Sequence, residues 1–171
     1  MNSSNYTNNE KKIMVEETSN VNGYVKIYAF PAEEVPDYET YLKLSDKEKY
    51  LVGASDNTIT TLGFNLIPII LSGGTNTFTH CAVGTGSPSG TALGTEVGTR
   101  ISIAYKYAIQ NEYHMDIFYG KNDPNTSSNV LTEAGLFNQL AAGGEMYCSN
   151  TISFTKSTAV TMVVAWLWSF A

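Results

Sequence analysis

Apolar and polar residues alternate in several short segments of the chain, and this alternation predicts β-strands. Residues 24–30 alternate until Pro31, whose ring ends the regular strand pattern. Residues 158–170 are apolar in both phases, which predicts a central strand covered on both faces. About seven strands are predicted, at residues 24–30, 78–83, 100–109, 112–119, 132–137, 145–154 and 158–170.

Two other segments have helical spacing. Residues 37–50 lie in the only charge-rich stretch and predict a short amphipathic helix with Tyr38, Tyr41 and Leu42 on one side. Residues 58–74 predict a second helix, capped at its start by Thr60 or Thr61 and ended by Gly73 and Gly74. Its apolar positions are Ile59, Leu62, Leu66 and Ile69.

The second helix is apolar nearly all round, which predicts that it is buried. Pro68 conflicts with a regular helix, because proline removes a hydrogen bond and clashes with the preceding turn. Either the helix is kinked at Pro68, or Pro68 stands in the first turn of a shorter helix.

The strands are joined by turns and loops that fit an antiparallel arrangement. Gln110 and Asn111 predict a hairpin turn between two alternating segments, and residues 84–98 form a glycine-rich loop. The predicted fold is mainly β, an antiparallel β-sandwich or flattened barrel with one or two short helices. Residues 23–171 are predicted to form a single β-rich domain, in which residues 31–50 are a possible helical insertion.

Residues 1–22 are predicted to form a flexible N-terminal arm. The segment is rich in Asn, Ser, Thr and Glu, and its only apolar cluster is Ile13, Met14 and Val15. So little apolar surface does not offset the entropic cost of ordering. Two interpretations stay open: a disordered tail, or an arm whose apolar cluster binds a neighbouring subunit.

Composition and charge exclude several classes of partner. Charged residues make up 15% of the chain, against about a quarter in ordinary globular proteins. The formal net charge is −6, and the 10 basic residues are scattered. Phosphate backbones and anionic membranes require clustered Lys and Arg, so we expect neither nucleic acid nor membrane as a partner.

The candidate metal ligands are few. Cys81 and Cys148 lie in separate strand-like runs and are predicted to be buried free thiols. A zinc site is disfavoured because His80 and Cys81 are adjacent on a strand and point to opposite faces. No ligand spacing of the CxxC or HxxxH type occurs. We therefore expect neither a metal nor another cofactor.

Catalytic chemistry has only a weak basis in the sequence. His114 and Asp116 share a strand face, but no serine lies in a GxSxG elbow. The pair is predicted to lie on an exposed polar face, and a small hydrolase using His114 is a remote alternative. Gly84-Thr85-Gly86 follows a strand without the Lys and helix of a phosphate loop. Most of the 11 tyrosines are predicted to pack in the core or in interfaces rather than to line a sugar site.

Four glycine-containing segments occur in a fixed order after residue 57. The first precedes the predicted apolar helix, and the others occupy strands and the loops that join them. They are Asn57-Thr58-Ile59-Thr60-Thr61-Leu62-Gly63, residues 78–86 (FTHCAVGTG) with 91–97 (TALGTEV) and Arg100, residues 132–138 (TEAGLFN), and residues 143–147 (GGEMY).

This order of segments resembles small structural proteins of tailed bacteriophages, in particular the particle-facing modules of tail fibre, collar and appendage proteins. The resemblance covers residues 57–171, and residues 21–50 have no counterpart in it. It implies a non-enzymatic virion protein without catalytic residues, made in the host cytoplasm and bound to copies of itself and to other virion proteins. The alternatives are a capsid decoration protein and a host-receptor or carbohydrate-binding module.

Overall fold

In the computed structural model, residues 21–72, 77–124, 129–141 and 143–170 are described. Ten strands, two α-helices and one 3-10 turn follow one another in these ranges. They are β1 (Val21–Pro31), α1 (Tyr38–Leu42), the 3-10 turn Glu48–Tyr50, β2 (Leu51–Asp56), β3 (Thr58–Ile59), α2 (Thr61–Leu71), β4 (His80–Gly84), β5 (Ile101–Ser102), β6 (Tyr105–Ile109), β7 (Glu112–Tyr119), β8 (Asn129–Phe137), β9 (Met146–Lys156) and β10 (Val160–Phe170).

The strands form two antiparallel sheets of five strands each. Sheet A has the order β2-β1-β10-β7-β6, and sheet B has the order β3-β9-β8-β4-β5. The main hydrophobic core lies between the two sheets. This arrangement confirms the predicted antiparallel β-sandwich with short helices. None of the helices described is long and apolar enough to cross a membrane.

β10 lies at the centre of sheet A, as its two apolar faces predict. Trp166 and Trp168 point into the core and are each 1% exposed, and Phe78 packs edge-on against Trp168 at 4.7 Å. The buried indole N–H groups face the thiols of Cys81 and Cys148 without the geometry of a full hydrogen bond. Both cysteines are buried and free, as predicted.

The outer face of sheet A is covered by residues 32–50. A second apolar cluster joins Tyr28 and Phe30 of β1, Val163 of β10, and Val35 and Tyr41 of the covering segment. The helix predicted at 37–50 is shorter than expected: Asp37 caps α1 by accepting the Thr40 N–H at 2.8 Å, and α1 ends at Leu42. Leu42 is exposed rather than packed.

The predicted strand at 100–109 is in fact two strands in different sheets. Ile103 donates its N–H to Thr79 on the side of sheet B, whereas Ala104 donates to Asp116 in sheet A. The chain therefore crosses between the sheets at this point. Tyr105 and Ile109, which alternate in phase with Ile101 and Ile103 in the sequence, are 49% and 52% exposed.

The helix α2 closes one end of the sandwich and is only partly buried, contrary to the prediction. Thr60 caps it by accepting the Gly63 N–H at 3.1 Å. Gly63 lies so close to β9 that a Cβ there would stand 2.3 Å from the Tyr147 carbonyl oxygen. Leu66 is buried, but Phe64 and Ile69 face outward and are exposed. The helix runs through Pro68 and ends at Leu71.

Candidate functional site

The glycine-rich loop at residues 84–98 is held to sheet B by a single buried carboxylate. Glu133 of β8 is fully buried, and its Oε1 accepts the N–H groups of Gly86 at 3.0 Å and Thr95 at 2.7 Å. Its Oε2 accepts the Gly94 N–H at 2.7 Å. These three backbone donors offset the free-energy cost of burying the carboxylate. The role of Glu133 is therefore to hold the loop in place.

An arginine completes this corner of the molecule. Arg100 donates two hydrogen bonds to Glu96, from Nε at 3.0 Å and from Nη2 at 2.6 Å, and a third to the Gln139 carbonyl. Its guanidinium carbon lies 3.6 Å from the centre of the Phe137 ring. Beneath it, Leu93 packs into a small apolar cluster. The loop is therefore anchored by charge, by hydrogen bonds and by packing.

The four glycine-containing segments that carry the resemblance lie at this corner and along the neighbouring edge of sheet B. A Cβ on Gly84 would stand 2.3 Å from the Thr95 carbonyl oxygen, so the motif glycine is required by close approach of the chain. A Cβ on Gly135 would stand 2.9 Å from the Met146 sulfur and 3.1 Å from the Phe137 ring, so side chains pack closely against this glycine. Both glycines therefore allow close packing of the chain at this corner.

The pair His114 and Asp116 does not form the exposed polar face that the alternation predicts. Residues 32–50 fold over β7, and Asp116 is only 6% exposed. The Tyr38 and Tyr41 hydroxyls donate to its Oδ2 at 3.3 and 3.4 Å. Sequence alternation missed this burial because the cover comes from a segment more than seventy residues away.

Burial raises the pKa of the Asp116 carboxyl above its ordinary value, and Lys47, the two phenols and His114 only partly oppose the shift. His114 is paired with Glu112 at 3.0 Å and stacks on Tyr107, the rings 4.7 Å apart and 8° from parallel. No base–nucleophile relay is built around His114 in the part of the chain described.

Asp116 lies in a groove of about 360 Å³ between the outer face of sheet A and residues 41–48. We call this the tyrosine groove. Tyr28 donates to Glu48 at 2.8 Å, Lys26 pairs with the same carboxylate at 2.8 Å, and the Lys47 ammonium lies 3.9 Å from the centre of the Tyr41 ring. Four tyrosines line this groove, namely Tyr24, Tyr28, Tyr41 and Tyr107. Tyr28 and Tyr41 also belong to the second apolar cluster, in agreement with the expected packing role.

His80 and Cys81, which were considered above and disfavoured as zinc ligands, lie on opposite faces of β4. Cys81 is fully buried on the core side, and burial raises the pKa of its thiol to about 11. His80 is on the other face, beside Thr79 at 2.7 Å and Ser102 at 3.3 Å. Among the described ranges, no three His, Cys, Asp or Glu side chains are grouped as metal ligands.

A buried lysine was missed by sequence reasoning altogether. Lys156, at the end of β9, is 1% exposed and donates to the carbonyls of Gly120, Lys121 and Ser157 at 3.0 to 3.3 Å. Burial lowers the pKa of its ammonium, and Asp123 opposes that shift. Nothing in the local sequence distinguishes this lysine from an exposed one.

Sheet A has two outer strands whose edges carry apolar side chains. On β2, Leu51 and Val52 are 36% and 49% exposed, and Asp56 is the only charged residue of the strand. On β6, Tyr105 and Ile109 are exposed, and its one lysine is turned away to donate to the Phe78 carbonyl. An exposed edge strand with few charged side chains can form backbone hydrogen bonds with a strand of another chain.

The predicted interaction residues Ile13, Met14 and Val15 lie outside the described residues. The first described strand starts at Val21, so Val21 and Asn22, which the sequence assigns to the arm, pair with Phe170 and Ser169 of β10. Comparison of the chain with protein-family models, with curated proteins and with solved structures gives no match.

Proposed function

We propose that the chain is a non-enzymatic structural protein of a tailed-phage particle, an adaptor or appendage of the tail fibre, neck or collar. It is made in the host cytoplasm and works in the virion, bound to copies of itself and to other virion proteins. The proposal starts from the order of motif segments that resembles particle-facing modules. The structural observation that supports it is that Glu133 and the pair of Arg100 and Glu96, all from motif segments, hold the glycine-rich loop in place.

The observation that carries the assembly part of the proposal is the pair of outer strands of sheet A, which carry exposed apolar side chains and one charged residue each. The edges belong to different strands, β2 and β6, at opposite ends of the sheet. Pairing of β2 in one copy with β6 in the next is a head-to-tail contact, which closes into a ring when the rotation permits. Backbone hydrogen bonds would supply affinity, and exposed apolar residues such as Val52 and Ile109 would become buried.

The arm provides a second contact in the same proposal. Ile13, Met14 and Val15 form an apolar strand-like segment, and such a segment can add to a sheet edge of a neighbouring subunit. The exposed side chains Phe64 and Ile69 on α2 extend the apolar surface that a virion partner would cover.

The virion role is tested on phage particles purified by density gradient from a lysate of the source that encodes this chain. Mass spectrometry should detect its peptides at constant ratio to the major capsid protein through repeated purification. Immunogold labelling should place the protein at the tail or neck. Label spread over the head would favour the alternative, a capsid decoration protein. Loss of the protein from the particle fraction would contradict both.

A further inference from the structure

Asp116 has more hydrogen-bonding capacity than the protein uses. A carboxylate has about four acceptor positions, but among the described residues only the Tyr38 and Tyr41 hydroxyls donate to it, at 3.3 and 3.4 Å. Both distances exceed the usual range for an O–H donor. Buried carboxylates are normally paired with a cation or several donors. The carboxylate therefore faces the tyrosine groove with acceptor positions available to a ligand.

The charges around the groove nearly cancel. Lys26 and Lys47 oppose Glu48, Glu112 and Asp116, and Lys26 is already paired with Glu48. A strongly anionic ligand would meet the three carboxylates, and a cation would compete with the Lys47 ammonium over the Tyr41 ring. A neutral ligand that both donates and accepts hydrogen bonds fits this mixture best.

Much of the remaining lining is aromatic. Tyr24 and Tyr107 are partly exposed in the groove, and Tyr28 and Tyr41 form its more buried wall. Tyrosine offers an apolar ring face together with a polar hydroxyl, which suits a ligand with both C–H faces and hydroxyl groups. The volume of about 360 Å³ is at the lower end of the range for small-molecule sites, about 300–1,000 Å³.

We infer that the tyrosine groove binds a neutral saccharide unit, with neighbouring sugar hydroxyls donating to Asp116 and a ring face lying against Tyr24 or Tyr107. Residues 41–48, which form one wall, belong to the segment that has no counterpart in the virion resemblance. The site is therefore a property of this chain's own addition to the sandwich. It does not depend on the virion role, and either claim can fail without the other.

The test uses the full chain and NMR amide chemical shifts. The probes are the methyl glycosides of glucose, galactose, mannose, N-acetylglucosamine and N-acetylgalactosamine, titrated at millimolar concentrations. At least one should shift amides of residues 24–28 and 112–116 while leaving sheet B unchanged. If none shifts these amides, or if the shifts fall elsewhere, the inference is wrong.

Two variants connect the binding to the groove. Asp116→Asn keeps the shape but removes the charged acceptor, and it should weaken binding about tenfold, the equivalent of one hydrogen bond to a charged group. Tyr24→Ala removes a ring face without breaking a hydrogen bond of the fold. It is the second test of the groove if Asp116→Asn does not fold. Glu39→Gln, an exposed carboxylate on α1 outside the groove, should bind like the wild type. Unchanged affinity in both groove variants would overturn the inference.

Discussion

The carboxylate of Glu133 on β8 accepts the backbone N–H of Thr95 at 2.7 Å, although the two residues are 38 positions apart. With the further bonds to Gly86 and Gly94, this carboxylate supplies the acceptors that a fifteen-residue glycine-rich loop would otherwise lack. The relationship explains why a carboxylate side chain is buried in β8. It also gives the motif residues Gly86 and Gly94 a structural role, because their N–H groups bind this carboxylate.

Replacing Glu133 with Gln should destabilise the protein by about 2–3 kcal/mol, because the amide keeps one acceptor and places an N–H₂ group against backbone donors. The measurement is urea unfolding monitored by tryptophan fluorescence. Glu39→Gln, on an exposed helix surface, is the control and should unfold like the wild type. An unfolding midpoint for Glu133→Gln equal to that of the control would show that the loop does not depend on this carboxylate.

The two aromatic residues at the end of β10 should differ sharply in their contribution to stability. Trp168 is 1% exposed and packs on Phe78, whereas Phe170, on the same strand face, is 37% exposed. Trp168→Ala should lower the free energy of unfolding by about 3–5 kcal/mol, and Phe170→Ala by much less. Thermal and urea denaturation give both values. Equal effects of the two substitutions would contradict the central position of β10.

Asp116 should reduce stability at neutral pH. Its pKa in the folded protein is raised by burial, so the folded state holds the proton more tightly than the unfolded state. This favourable contribution is complete below the unfolded pKa and is lost as pH rises through the folded pKa. Asp116→Asn should therefore be more stable than the wild type at pH 7, and the difference should shrink as pH falls towards 4.

Urea unfolding of both proteins across this pH range measures the effect. A gain that is independent of pH would point to packing rather than to the charge. A loss of stability at pH 7 would mean that Lys47 and the tyrosines compensate fully for the buried carboxylate.

The apolar cluster of the arm should be required for the full size of the assembly. Changing Ile13, Met14 and Val15 to serine should produce smaller species in light scattering without altering the circular dichroism spectrum, because β1 begins at Val21. The matched control changes three polar residues of the same arm to alanine, namely Asn2, Ser3 and Ser4. If both variants assemble like the wild type, the arm is a passive tail.

The sequence predicts those parts of the fold that depend on neighbouring residues. The two apolar phases of β10, the turn at Gln110 and Asn111, and the Thr60 cap all follow from local patterns, and the structure confirms them. Gln110 adopts a φ of 54°, the left-handed conformation that such tight turns require.

Features that depend on distant segments were not predictable in the same way. Alternation continues in phase through Ile103 and Ala104, so the pattern does not reveal that the chain changes sheets there. The alternation in β7 predicts that Asp116 is exposed, but residues 32–50 cover it in the structure. Phe64 and Ile69 lie in an apolar segment, which predicts that they are buried. They are exposed because α2 contacts the sandwich on one side only. Exposed apolar residues of this kind are the ones a partner would cover.

The central claim is that this chain works as a structural protein assembled from copies of itself, and its mass in solution tests that claim most directly. Size-exclusion chromatography with multi-angle light scattering should give the full chain a mass that is two or more times 18.6 kDa. Val52→Lys, which places a charge on the β2 edge, should lower that mass, and Val130→Lys, an equally exposed apolar position outside sheet A, should not. A wild-type mass of 18.6 kDa at every concentration would contradict the account.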